Sequence, residues 1–276
     1  MEKNITVRGK QLACTLEGNS SNPAILFIHD CASYRGVWQQ TISILKAKYF
    51  CIAVDLLGFG ASDKPEEGDY SLPTQGQRVL MIADQLGLGN FSLVGHAMGG
   101  QIALYIASVL APQRIEKLVC INTIITGKFS EKAEKTFIQA AKIGRRFPWL
   151  YNLGRSFVNF KPLSNFAFGN LFFDINAIPF ETWKADRLAT YNPACAISTD
   201  ESFKAMKAMD LIPHLRKIKA RTLIIAGKQD KITPLDQALL AQTLIPNNDL
   251  ALIEKCGHYP MIEKSGNFNK AMGLIY

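Results

Sequence analysis

The chain has 276 residues, 48% of them apolar and 20% charged, with 31 basic against 23 acidic side chains and a formal charge of +8. That apolar content excludes a disordered chain and suffices for a large core, and the length fits two domains or one α/β domain carrying an insertion. The charge reads as diffuse, Arg145-Arg146 being the only Arg-Arg pair, so no nucleic-acid partner is expected.

In chain order, residues 5–7 and 12–16 read as a hairpin. Short β-branched runs follow at 24–28, 50–54, 91–94 and 118–121, separated by helix-period stretches near 37–45, 72–86 and 98–110. This alternation predicts an α/β fold with a mostly parallel central sheet flanked by helices. Strand signals stop over 125–209 and return at 222–226 and 250–253, around a helix at 235–244. The division expected is a body of 1–124 and 210–276 interrupted by a helical cap of 125–209. Fifteen of the 27 aromatic residues fall in 125–203, Phe129, Phe137, Tyr151 and Trp183 among them. A helical subdomain packing its own core explains part of that excess, and rings lining a pocket against the body would explain the rest.

Six cysteines, Cys14, Cys31, Cys51, Cys120, Cys195 and Cys256, include no C-x-x-C pair, and four sit in apolar runs. They read as buried free thiols rather than disulfides or zinc ligands. Neither an apolar leader at the N-terminus nor a stretch of the roughly 18 apolar residues that a membrane span needs is seen. The expectation is a cytoplasmic protein without cofactor or metal.

The chemistry concentrates in Gly95-His96-Ala97-Met98-Gly99-Gly100, where a strand runs through a tight turn into a helix. Glycines two residues either side of position 97 allow the strand and helix to approach closely, which is the geometry of a nucleophile elbow. Four further motifs lie at strand ends: His29-Asp30-Cys31 with Trp38 downstream, Asp55-Leu56-Leu57-Gly58-Phe59-Gly60-Ala61-Ser62-Asp63-Lys64-Pro65, Gly227-Lys228-Gln229-Asp230, and Cys256-Gly257-His258-Tyr259-Pro260.

With these five motifs in order, the chain resembles the α/β-hydrolase family of serine esterases and lipases over nearly its whole length outside the middle segment. The resemblance implies a nucleophile at position 97, with His258 as general base and Asp230 as its orienting acid. The backbone N–H groups of Cys31 and Met98 would form the oxyanion hole. It assigns Asp55 and Ser62 to loop structure, and His29 and His96 to orienting loops. Two positions depart from the pattern. Asp30 stands where the family usually has Gly, and Ala97 stands where it has Ser.

An alanine methyl cannot attack a carbonyl, and loss of the nucleophile from such a triad lowers turnover on the order of 10⁶-fold. The leading expectation is a carboxylic ester hydrolase, with an apolar acyl or aryl group under the cap, inactivated by a Ser→Ala replacement at 97. Thioester and amide substrates remain open beside it. The alternative is a natural non-hydrolytic homologue that binds a ligand or uses His258 and Asp230 as a base. Twelve basic against seven acidic residues in 125–209 imply that an acidic partner, such as a carrier, would approach from the cap side.

Overall fold

The computed structural model describes residues 1–276. Eight strands form one sheet: β1 (Glu2–Val7), β2 (Lys10–Glu17), β3 (Ala24–Ile28), β4 (Phe50–Val54), β5 (Phe91–His96), β6 (Ile115–Ile121), β7 (Arg221–Gly227) and β8 (Asn248–Ile253). Their spatial order is β1-β2-β4-β3-β5-β6-β7-β8. The β1/β2 and β2/β4 pairs are antiparallel, and every other pair is parallel.

The continuous apolar runs have a direct cause. Side chains alternate across a strand, so Ile25 and Phe27 of β3 enter the core on one face while Leu26 and Ile28 enter the core on the other. In β4, Cys51 and Ala53 oppose Ile52 and Val54 in the same way. A strand covered on both faces leaves no place for polar residues, as parallel sheets require. Burying one Ile or Phe side chain contributes roughly 1.5–3 kcal/mol, so the centre of the sheet is the stable base of the molecule.

From β3 the chain crosses to β4 on one side, then returns to form β5 on the other side of β3. That reversal is the switch point at which open α/β sheets present a crevice beyond the carboxyl ends of their strands. The helices α1 (Gln39–Leu45), α2 (Leu72–Gln85) and α3 (Met98–Tyr105) cover the sheet near it.

Between β6 and β7 the chain is helical, in short pieces that include Gln139–Arg146, Trp149–Ser156, Lys161–Phe168, Lys184–Thr190 and Ala196–Ala208. This insertion is fastened to the body by hydrogen bonds from Thr190 Oγ1 to the Ala32 carbonyl at 3.0 Å and from Ser198 Oγ to the Gly58 carbonyl at 2.7 Å. All six cysteines are free and buried.

Candidate functional site

β5 ends at His96, and Ala97 then takes φ 47° and ψ −107° before α3 begins at Met98. A non-glycine residue in this region is strained, and the neighbouring glycines show what the turn demands. A Cβ at Gly95 would strike the Gly99 carbonyl, and one at Gly99 would strike the Ile28 carbonyl. The expected elbow is therefore present, with a buried methyl group at its tip.

His258 lies beyond β8 and is buried, with its Nδ1 2.7 Å from Asp230 Oδ2. Asp230 is itself held, because its Oδ1 accepts from the amides of Ile232 at 2.7 Å and Thr233 at 3.2 Å. The His258 amide donates to the Leu171 carbonyl at 2.8 Å, and its carbonyl accepts from Asn122 Nδ2 at 2.8 Å. Asn122 also accepts through Oδ1 from the Gly227 amide at 2.9 Å. It thereby ties β6, β7 and the His258 turn together. His258 thus pairs with Asp230 and lines one pocket with Ala97.

The fourth member of the site is Asp30. Its Oδ1 accepts from the Met98 amide at 3.1 Å, and its Oδ2 lies 3.3 Å from His258 Nε2. The Met98 N–H is one of the orphan donors at the start of a helix, where an anion is favoured. An oxyanion hole with Met98 free was expected, yet this amide is already taken by a carboxylate. Cys31, the other expected donor, lines the same pocket. The sequence marked Asp30 only as a departure from Gly; its convergence with Met98 and His258 depends on three loops that meet in space.

Electrostatics follow from this arrangement. Burial works to depress the basicity of His258, but the charge and hydrogen bond of Asp230, and then those of Asp30, overcome it and raise the pKa to about 10. Burial opposes ionisation of Asp30, and His258 outweighs it, so the carboxyl is held below its usual value. His258 thus lies between the side chains of Asp230 and Asp30, and both favour its protonated form. His96 has no such partner; burial, followed by the positive charge of His258, lowers it to about 3.

His29 and His96 hold loops, as the sequence indicated. The Leu56 amide donates to His29 Nε2 at 3.0 Å, so Nδ1 carries the proton and donates to the Asp30 carbonyl at 2.6 Å. His96 Nε2 lies 2.7 Å from the His258 carbonyl and therefore donates to it. Asp55 and Ser62 are structural too: Asp55 accepts from the Ala61 amide at 2.8 Å and pairs with Arg35, while Ser62 Oγ donates to the Asp55 carbonyl at 2.6 Å.

A cavity of about 450 Å³ opens above Ala97 and His258, lined mainly by apolar groups that include Phe129, Phe137, Tyr151 and Phe203 of the insertion. The aromatic excess divides three ways. Those four rings face the pocket, as do Tyr191 and one side of Phe168. Phe168, Phe172 and Trp183 pack with Tyr259 in a buried cluster. Phe147, Trp149, Phe166 and Phe173 are exposed, which the sequence had not indicated.

An elbow after β5, a histidine after β8 and an acid after β7, all at the carboxyl edge of one sheet, define a hydrolase-type framework. The sequence profile of the alpha/beta hydrolase fold matches residues 23–265, and the chain belongs to that family. It is 27% identical over 247 residues to the pimeloyl-[acyl-carrier protein] methyl ester esterase of Nitrosomonas europaea, covering 90% of this chain and 93% of that one. It is 29% identical over 232 residues to the 2-hydroxymuconate semialdehyde hydrolase of Pseudomonas putida, covering 79% and 73%. Among solved structures, an esterase from Exiguobacterium antarcticum superposes with a TM-score of 0.82 at 22% identity, over 99% of this chain and 98% of that one. No helix is long and apolar enough to cross a membrane.

Proposed function

We propose that this member of the family binds a small apolar carbonyl compound, of the ester or ketone class, and acts on it by proton transfer without forming an acyl-enzyme. The observation that carries this reading is the Asp30 carboxylate between the Met98 amide and His258 Nε2, above the Ala97 methyl. A lone Ser→Ala replacement would remove the nucleophile and leave the rest of an esterase site free. Here a second, separate departure engages both groups that serine chemistry needs. A carboxylate on the Met98 amide also repels the oxyanion of an ester's tetrahedral intermediate.

The helices of 125–209 act as the cap. They supply the apolar wall, while Asp30 and His258 face the ligand with opposite charges. Asp30 would accept a proton from the carbon beside the carbonyl, and the His258 imidazolium would donate a hydrogen bond to the carbonyl oxygen as it becomes an enolate. Returning the proton from Asp30 to the carbon closes the cycle with all atoms accounted for. Asp230 keeps the imidazolium oriented and charged.

The second reading is an ester hydrolase lacking its serine. The close His258–Asp230 pair and the esterases and hydrolases among the relatives favour it. One experiment separates the two. Ala97→Ser alone should stay nearly inert towards short and medium p-nitrophenyl esters, and Ala97→Ser combined with Asp30→Gly should turn over. Full hydrolysis by Ala97→Ser alone would sink the acid–base reading. Its positive sign is exchange of the α-hydrogen of an apolar ketone in D₂O, abolished by Asp30→Asn.

A further inference from the structure

We infer that the outward face of the insertion is a docking surface for an anionic lipid bilayer. Isolated apolar side chains on a surface are ordinary, but a concentration of them marks an interaction site. Nine of the sixteen large apolar side chains exposed in this chain lie within 143–173, with Trp149 at 60% and Phe166 at 83% exposure. Helical spacing gathers them. Trp149, Leu153 and Phe157 recur every fourth residue, and the helix Trp149–Ser156 has no buried residue. Phe160, Leu163 and Phe166 continue the exposed series on the next helix.

The charge is concentrated on the same segment and not diffuse along the chain. Residues 135–173 contain six basic side chains and no acidic one. Arg145 is neutralised by Asp200 and Glu201, and Lys135 by Glu131. Lys142, Arg146, Arg155 and Lys161 are exposed and have no carboxylate partner. Exposed aromatic rings interleaved with uncompensated Lys and Arg fit the boundary between anionic headgroups and acyl chains. An acidic soluble protein would satisfy the charges and offer the rings no apolar phase.

The surface adjoins the pocket. Leu150 and Tyr151 of the Trp149–Ser156 helix line the cavity together with Ile143 and Gly144 of the preceding helix Gln139–Arg146, and Ile143 is also 52% exposed. Docking would bring that edge of the cavity to the bilayer. This inference goes beyond the acid–base reading and does not depend on it.

Trp38 and Trp183 are fully buried, so Trp149 reports contact with lipid. Titrating the full chain with phosphatidylcholine vesicles containing phosphatidylglycerol should shift its emission to the blue and expose it to quenching by brominated acyl chains. Pure phosphatidylcholine should do neither, and added salt should weaken the effect. Arg146→Glu with Lys161→Glu should lower the affinity by at least roughly tenfold, since each basic residue strengthens binding to such surfaces by roughly fivefold. Phe160→Ser with Phe166→Ser should lower it as well, and both variants should melt within a few degrees of the parent because the altered side chains are exposed. Equal binding to charged and neutral vesicles, or unchanged affinity in either variant, would overturn the proposal. So would a matching emission shift with polyglutamate, which would mark the face as a site for acidic polymers.

Discussion

Asp30, on the sheet body, and Asp186, in the insertion helix Lys184–Thr190, are both buried carboxyls, at 8% and 6% exposure. They ionise in opposite directions. Asp30 has an imidazolium at one oxygen and a helix amide at the other, and is held below the usual carboxylate range despite its burial. Asp186 has no cation to offset burial, and its pKa is pushed up to about 8. Its Oδ1 has no hydrogen-bond partner. The adjacent Arg187 turns away, donating to Ser164 Oγ at 2.7 Å and stacking over the Phe180 ring at 4.6 Å. Partners, more than depth, decide the charge state: Asp30 is held ionised and Asp186 neutral, while Asp200, also buried in the insertion, is kept ionised by Lys204 and Arg145.

Asp186→Asn provides the largest test of that contrast. The unfolded chain loses the Asp186 proton near pH 3.8, and the native state keeps it until about pH 8. Stability therefore falls across this window, and the substitution removes the fall. Urea denaturation should show little change at pH 4 and a gain of several kcal/mol above pH 8, at about 1.4 kcal/mol for each pH unit between the two midpoints. A loss at high pH would mean that Asp186 is ionised and paired.

Asp30→Asn tests the other half by a smaller amount. His258 is raised in the folded state, so its contribution is complete below about pH 6.5 and disappears as pH rises through about 10. Without Asp30, the His258 midpoint followed by ring NMR should fall, and by less than on removing Asp230, the larger source of the shift. An unmoved midpoint would leave Asp230 as the sole source of the shift. The smallest effect belongs to Lys135→Ala, which breaks an exposed ion pair with Glu131 on the insertion. Its melting free energy should stay within about 0.5 kcal/mol of the parent.

The sheet was legible because strands covered on both faces must be apolar throughout, as in β3 and β4. The order of position 97, Asp230 and His258 was legible because each follows a strand whose end abuts the crevice. Asp30 was visible as an oddity, but the Met98 amide lies 68 residues away in sequence and His258 228 residues away. No local pattern encodes such distances. Asn122 carried no signal, since an Asn after a strand usually reads as a turn. The insertion was readable as helical and aromatic, yet spacing alone does not tell an outward stripe from an inward one when both are apolar. Trp149 and Trp183 look alike in the sequence and end on opposite sides of the insertion.

The Asn122 side chain has a wider consequence. Its amide accepts from the end of β7 and donates to the carbonyls of Gly257 and His258, while its own carbonyl takes a hydrogen bond from Thr233 Oγ1 at 3.0 Å. One residue beyond β6 therefore sets the distance between the acid and the histidine from the middle of the sheet, much as a spacer fixes two plates. From the other side the segment after the histidine grips the same turn, Glu263 accepting from the Gly257 amide at 2.6 Å and Tyr259 packing edge-on against the imidazole, so the histidine is clamped between two fixed supports.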